Sequence, residues 1–308
     1  MSKTSEYPSR SPKPTPKRRG AGTVAGGALL AASTLSIALL SGPSASAAND
    51  AKTIKVKAVE RANGGYSFEG LPTTLKGGNV TFELTNTGKE PHDLQIVRVD
   101  GIHPAADVMK AIESENEPTP AWMHADGGVG SVAPGAVGRA TVNLGAGTYV
   151  FVCTMSNDTT HKSHAAGGMA NNIKVTGAKA PALPAGATAT ITAKEYGFET
   201  KGLKSGKNLV EFVVAGKELH HFLMFPIMPG KTIQDAKAAL TSDKAPVGPP
   251  PLDFDKGQGS AVIEKSEGSL LTEVNLAAGR YAMVCFMSDR VGGPPHIMKG
   301  MLVEVAVK

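Results

Sequence analysis

Cysteine, histidine and methionine recur at the same spacing in two parts of the 308-residue sequence. In both parts, ten residues separate Cys from His and four separate His from Met. The residues are Cys153, His164 and Met169 in the first part, and Cys285, His296 and Met301 in the second. The sequence has no other cysteine. A repeat that keeps these three residue types in register is difficult to explain by packing alone.

A further histidine precedes each set in a shared sequence context. The segment 88–92, Gly-Lys-Glu-Pro-His, matches the segment 216–220, Gly-Lys-Glu-Leu-His. Each half of the sequence therefore supplies a second imidazole, from His92 or from His220. A thiolate and imidazoles suit copper, and a thioether on a long, weak bond tunes its potential. The sequence therefore predicts two copper ions, one in each half.

This pattern resembles that of the cupredoxins, the plastocyanin- and azurin-like blue copper proteins. The segment 164–169, His-Ala-Ala-Gly-Gly-Met, is similar to the end of the ligand loop in plastocyanins. The gap between Cys and His is longer here than in plastocyanins or azurins. The resemblance covers nearly the whole chain after the N-terminal segment, twice, and implies one type 1 copper site in each half. The implied ligands are His92, Cys153, His164 and Met169, and then His220, Cys285, His296 and Met301.

The two cysteines have an alternative role as a disulfide, which is common in exported proteins. Cys153 and Cys285 hold equivalent positions in the repeat, however, and equivalent ends of two separate β-sandwiches are a poor starting point for the short separation that a disulfide needs. Copper is therefore favoured over a disulfide or inert buried thiols.

The repeat also distinguishes between neighbouring histidines. His161 lies close to His164, but it aligns with Gly293, so His164 is the predicted ligand. His221 aligns with Asp93 and is not predicted to bind the metal.

Short alternating apolar segments separated by Gly and Pro predict β-strands in both halves. The expected fold is all-β, with two tandem cupredoxin-like Greek-key β-sandwich domains, each carrying a short helical insertion. Helical spacing places the insertions at 107–112 and 232–240, each followed by a Pro-containing loop. They could serve as a lid or docking edge, or as solvated decoration. The predicted boundaries are a first domain at 48–176, a linker at 177–187 and a second domain at 188–308.

Residues 1–47 have the features of an export signal. A basic group at 17–19 precedes an uncharged run at 20–40, and Ala45-Ser46-Ala47 resembles a cleavage site. The run is long enough to span a membrane but only weakly apolar, so cleavage after Ala47 is expected. The protein is expected to be secreted or extracytoplasmic, and membrane-attached only if this segment stays uncleaved. Both the Sec and the twin-arginine routes remain open.

The basic character of the sequence belongs mostly to this signal. The sequence has 32 basic and 27 acidic residues, of which six and one fall in 1–47. The remainder has 26 of each and no net charge. The composition therefore gives no support for nucleic-acid binding.

Single-electron transfer with a redox partner protein is the predicted function. Apolar residues around His296, among them Pro294, Ile297 and Met298, suggest either a docking patch or ordinary loop packing. Copper storage or delivery without redox turnover remains an alternative. Two-domain copper oxidases and nitrite reductases share the expected architecture, but the oxidases hold further copper with His-x-His pairs, and this sequence has none. The protein is therefore predicted not to be an enzyme.

Overall fold

The computed structural model describes residues 51–308, apart from 63, 115–116, 158, 243–247 and 266–267. The predicted export signal at 1–47 and Pro246, in the loop after the second insertion, lie outside the described residues. Within the described part of the chain, no helix has the length and apolar character needed to cross a bilayer.

The first half is built from strands whose side chains alternate between core and solvent. In the first strand, Ile54, Val56 and Ala58 are buried and the residues between them are exposed, as the two-residue period of a strand requires. The strands of this half are β1 (Lys52–Glu60), β2 (Tyr66–Glu69), β3 (Thr74–Lys76), β4 (Gly78–Asn86), β5 (His92–Val99), β6 (Met123–Val132), β7 (Val137–Leu144), β8 (Gly147–Val152) and β9 (Ala170–Thr176).

The second half follows the same order with fewer residues in several strands. Val210, Phe212 and Val214 alternate into the core in the counterpart of β4. The strands are β10 (Ala189–Lys194), β11 (Gly197–Lys201), β12 (Gly206–Val214), β13 (Leu223–Pro226), β14 (Gln258–Gly259), β15 (Ser269–Leu276), β16 (Gly279–Val284) and β17 (Leu302–Val307).

These strands form three sheets, and one of them runs through both halves. Its order is β11-β10-β12-β15-β7-β4-β1-β2, and it is joined between the halves where β15 pairs with β7. The order β3-β9-β8-β5-β6 completes the first sandwich, and β14-β13-β16-β17 completes the second. Aromatic pairs join the facing sheets: the ring centroids of Phe82 and Phe151 lie 5.4 Å apart, and those of Phe212 and Phe222 lie 5.1 Å apart. The predicted all-β, cupredoxin-like sandwich fold is confirmed.

Both predicted insertions are helical, namely α1 (Ala105–Glu113) and α2 (Ile233–Thr241). The first buries Val108 against Val97, Val150 and their neighbours on the outer face of the five-stranded sheet. The second buries Ala236 in the corresponding place on the four-stranded sheet. The helices therefore cover the outer faces of the two sheets. Without them, the apolar side chains on those faces would be exposed to water.

A short extended stretch, residues 260–264, connects the two halves and is called here the bridging segment. On one side it pairs with β6, where Gly127 N donates to Val262 O over 3.1 Å. On the other side, Ile263 and His220 exchange two backbone hydrogen bonds of 2.9 and 3.0 Å. The backbone of one predicted ligand in the second half is therefore tied to a strand of the first half.

The predicted linker at 177–187 lies along the first half. Asn79 Nδ2 donates to Ala182 O over 2.8 Å, and Asn143 exchanges hydrogen bonds of 2.7 and 2.8 Å with the backbone of Ala180. The domain boundaries derived from the sequence stay predictions.

Candidate metal centres

The first centre lies at one end of the first sandwich. His92 begins β5, Cys153 directly follows β8, and His164 lies in the loop before β9. All three are fully buried. Cys153 Sγ lies 3.7 Å from His92 Nδ1 and 3.6 Å from His164 Nδ1, and the two Nδ1 atoms are 3.0 Å apart. Three donor atoms from separate elements therefore converge on one point.

The second centre has nearly the same geometry. Cys285 Sγ lies 3.7 Å from His220 Nδ1 and 3.6 Å from His296 Nδ1, and all three residues are fully buried. The imidazole centroids are 4.7 Å apart, against 4.6 Å in the first centre. In the described part of the chain, these two groups are the His/Cys/Asp/Glu clusters whose donor atoms could share a metal ion.

The backbone of the ligand loop holds these side chains in place. In the first centre, Cys153 N donates to Met169 O over 3.0 Å, Met169 N donates to His164 O over 3.0 Å, and His164 N donates to Met155 O over 2.9 Å. The second centre has the same three hydrogen bonds, of 3.2, 2.9 and 2.7 Å. The carbonyls that hold the histidines belong to Met155 and Met287, which occupy equivalent positions two residues after each cysteine.

The donor set fits copper. Two imidazole nitrogens and a sulfur meet in a dry site, and soft thiolate with imidazole is a combination that copper prefers. Neither cysteine forms a disulfide, and both are buried. The structure thus supports one copper in each half. Met169 and Met301 are fully buried beside their centres, and their role as axial ligands stays a prediction.

The remaining histidines lie elsewhere. His161 is exposed on the ligand loop and has a left-handed backbone φ of 55°. His221 is turned away from the metal centre and accepts a 3.0 Å hydrogen bond from Phe286 N. His103 stacks on Trp122 with ring centroids 3.8 Å apart. The histidines that come together in the structure are the ones that the repeat aligns, and their role as metal ligands stays a prediction.

Sequence reasoning missed the groups that cover the second histidine of each centre. His164 Nε2 lies 2.9 Å from Glu90 Oε2, and His296 Nε2 lies 3.0 Å from Asp289 Oδ1. A tyrosine lies over each imidazole, Tyr66 in the first centre and Tyr196 in the second. A signal was present for the tyrosines, because both open a matching Tyr-x-Phe-Glu segment, but not for the two carboxylates, which come from non-equivalent positions.

Comparisons with protein families and with curated proteins find no match. Solved structures do match. Auracyanin A, a "blue" copper protein from Chloroflexus aurantiacus, is 20% identical, covers 41% of this chain and 99% of its own, and has a TM-score of 0.30. Copper nitrite reductase from Nitrosomonas europaea is 16% identical, covers 84% and 94%, and has a TM-score of 0.27. A multicopper oxidase is 15% identical, covers 83% and 88%, and has a TM-score of 0.25.

The chain has a cupredoxin fold. The sandwiches and the two buried His-Cys-His groups carry this assignment, which confirms the resemblance seen in the sequence.

The prediction that this protein is not an enzyme is wrong, because two of the similar structures are enzymes. The error has a physical reason. The absence of a His-x-His pair excludes one arrangement of ligands within a single chain, and it does not exclude catalysis as such.

Burial controls the protonation of the side chains at the two candidate centres. It raises the pKa of Cys285 to about 12, and burial together with the charge of Asp93 raises the pKa of Cys153 well above its usual range. Burial and the neighbouring imidazole lower the pKa of His92, and they lower that of His220 to about 4. Near neutral pH the thiols therefore carry a proton that a metal must displace, whereas these imidazoles carry none.

We expect copper binding at about pH 8 to release about one proton per centre, and the apparent affinity to rise about tenfold per pH unit around that value. The proton comes from the thiol, whose raised pKa keeps it protonated until the metal binds. Titration of Cu(II) into weakly buffered protein with a pH indicator measures the release. An affinity independent of pH in this range would contradict the thiol as the proton source.

We expect Met169→Leu and Met301→Leu to keep copper and colour but to raise the reduction potential of their own centre. The thioether donates some electron density to the oxidised ion, and Leu donates none. Potentiometry followed by the visible band measures the change. Loss of copper, or an unchanged potential, would show that the methionine is not an axial ligand.

Proposed function

We propose that the protein is an extracytoplasmic electron carrier that accepts and donates single electrons at two type 1 copper sites. The observation that carries this proposal is the full burial of both His-Cys-His groups in preformed geometry. Copper bound there would alternate between Cu(I) and Cu(II), with the thiolate and imidazoles suiting both states.

The chain's own residues supply rigidity and exclude water. Each cysteine and each second histidine is held through backbone hydrogen bonds within its loop, and the first histidine lies at or beside a strand of the sandwich. Apolar side chains such as Phe151 and Phe222 pack beneath the centres in the core. Such a frame favours electron exchange without rearrangement, because a close-packed interior resists changes in position.

A redox partner is proposed to dock beside the second centre. Three large apolar side chains are exposed on and around its ligand loop: Val291 is 80% exposed, Met298 is 55% exposed and Tyr196 is 38% exposed. Tyr196 also contacts His296 edge-on, with centroids 5.4 Å apart. A partner with an apolar contact surface would approach the imidazole through this tyrosine. Of the apolar residues noted in the sequence, Ile297 is buried and does not contribute to this surface.

Addition of Cu(II) tests the proposal. A type 1 site gives an intense visible band from its thiolate, and rapid mixing with small inorganic oxidants and reductants should bleach and restore that band without release of copper. A colourless protein would refute type 1 copper. A coloured protein that exchanges electrons slowly and gives its copper to a chelator would favour storage or delivery.

Cell fractionation tests the proposed extracytoplasmic location, together with determination of the N-terminal residue of the mature protein.

A further inference from the structure

The residues that contact the His164 imidazole from outside, called here its covering, include the carboxylate of Glu90. Glu90 Oε2 lies 2.9 Å from His164 Nε2 and also accepts a 2.9 Å hydrogen bond from Tyr66 Oη, while Asn157 Nδ2 donates to Glu90 Oε1 over 2.5 Å. Tyr66 stacks on the His164 ring with centroids 4.1 Å apart. The partners of Glu90 are therefore neutral hydrogen-bond donors together with the histidine itself.

Two further carboxylates adjoin the same centre. Glu60 Oε1 lies 3.5 Å from His92 Nε2. Asp93 is buried directly after His92 and accepts hydrogen bonds of 2.7 and 2.5 Å from the backbone N and the hydroxyl of Thr154, the residue after Cys153. Among the described residues, no lysine or arginine forms an ion pair with Glu60, Glu90 or Asp93.

The second centre has one carboxylate in the equivalent contact, and that carboxylate is neutralised. Asp289 Oδ1 lies 3.0 Å from His296 Nε2, but Asp289 Oδ2 forms a 2.5 Å ion pair with Lys299 Nζ. Lys299 also lies 4.9 Å from the centroid of the Tyr196 ring. The covering of His296 thus contains a cation, whereas no lysine or arginine among the described residues forms an ion pair with Glu90 at His164.

The other acidic positions also differ between the centres. His221 replaces Asp93 and accepts the backbone hydrogen bond of Phe286 through Nε2, so an imidazole lies where the first centre has a carboxyl group. Glu218, the counterpart of Glu90, binds Arg290 N over 2.7 Å.

The last position is similar in its backbone contact. Glu195, the counterpart of Glu60, accepts a 2.6 Å hydrogen bond from Lys217 N, and Glu60 accepts one of 2.6 Å from the equivalent Lys89 N. The Nε2 atoms of His92 and His220 are both buried without a hydrogen-bond partner, but among the described residues only His92 Nε2 has a carboxylate within 4.0 Å. The first centre therefore has more negative charge in direct contact with its ligands.

From this difference, and resting on the proposed function, we propose that the two centres have unequal reduction potentials. The first is the lower, so that an electron given to the copper-loaded chain would reside mainly on the copper that His220, Cys285 and His296 would hold. Negative charge close to a metal stabilises its more oxidised state by Coulomb attraction. Partly buried charges such as those of Glu60 and Glu90 are screened less by salt than exposed charges. Lys299 acts in the opposite direction at the second centre.

Single-site variants measure each potential separately. Cys285→Ser leaves the first centre as the copper site, and Cys153→Ser leaves the second. Potentiometry on the visible band should show at least a tenfold preference of the electron for the second centre, which is about 59 mV for a one-electron couple. Equal potentials, or the reverse order, would overturn the inference.

Charge variants in the intact two-copper chain provide the second test. Glu90→Gln should raise the lower of two potentiometric waves, and Lys299→Met should lower the upper wave. Glu218→Gln is the matched control, because Glu218 occupies the same place in the repeated segment but contacts no ligand side chain through a hydrogen bond. It should leave the lower wave in place and shift the upper wave less than Glu90→Gln shifts the lower. A shift from Glu90→Gln no larger than the control shift would overturn the inference.

The outcomes separate this inference from the function on which it rests. Absence of the visible band in the wild-type chain would refute type 1 copper and the inference with it. Two coloured centres that exchange electrons but share one potential would leave the proposed function intact and overturn the inference alone.

Discussion

The Cys153→Ser variant and the Cys285→Ser variant should each bind one copper ion, whereas the wild-type chain should bind two. The two thiols are the sulfur donors of separate buried groups, and neither is part of a disulfide whose loss could unfold the chain. A serine hydroxyl stays protonated near neutral pH and is a harder donor than a thiolate, so the type 1 site is lost while the shape of the side chain is nearly kept.

Metal analysis and the visible band measure this result together. Each single variant should lose half of the copper and the contribution of one centre to the colour, and the double variant should lose both. The effects should add, because each group draws its ligands from its own half and shares none with the other. One copper in the wild-type chain, or loss of both centres from a single substitution, would contradict two independent sites.

Gly130→Ala should destabilise the whole described fold. Gly130 lies in β6, and a Cβ atom there would meet Gly259 O at 2.5 Å and Gly259 C at 2.9 Å. Both contacts are with backbone of the other half, which no side-chain rotation can relieve. Overpacking of this kind costs about 1–3 kcal/mol. The strain falls beside the bridging segment, so the second copper centre should also lose affinity.

Chemical unfolding of Gly130→Ala and of Gly197→Ala tests this expectation. Gly197 is the matched control, because it also lies in a strand and a Cβ atom there would meet nothing within 4 Å. The control should stay within about 0.5 kcal/mol of the wild-type chain. If the two variants unfold at the same denaturant concentration, the close contact between β6 and β14 does not limit stability.

Local patterns in the sequence were sufficient to predict most of the fold. The alternation at Ile54, Val56 and Ala58 requires a strand with one buried face, and the structure has β1 there. The helical spacing at 232–240 likewise coincides with α2, whose capping box of Thr232 and Asp235 is itself a sequence signal. These predictions succeeded because each depends on residues that are close in the chain.

The continuous eight-stranded sheet could not be predicted in this way. Its two halves meet through only two residue pairs, Thr141 with Leu271 and Ala140 with Thr272. Those strands carry the same alternation that they would have at the edge of a separate sandwich. Pairing between distant strand edges leaves no local trace in the sequence.

The metal centres show a different limit of sequence reasoning. The repeat located the histidines and cysteines because both copies use the same residue at the same place. It did not reveal the carboxylate over the second histidine, because Glu90 comes from the segment before β5 whereas Asp289 comes from the ligand loop. An equivalent contact made from non-equivalent positions is invisible to an alignment of the two halves.

The bridging segment has a consequence for the order of events during synthesis. The backbone of His220 is paired with Ile263, and the same segment is paired with β6 of the first half. Because the N-terminal part of a chain leaves the ribosome first, β6 is available as a template before residues 260–264 have been made. The second copper centre therefore depends on the first half for one edge of its supporting strand. A C-terminal fragment translated alone would have to form that centre with one side of its supporting strand left unpaired.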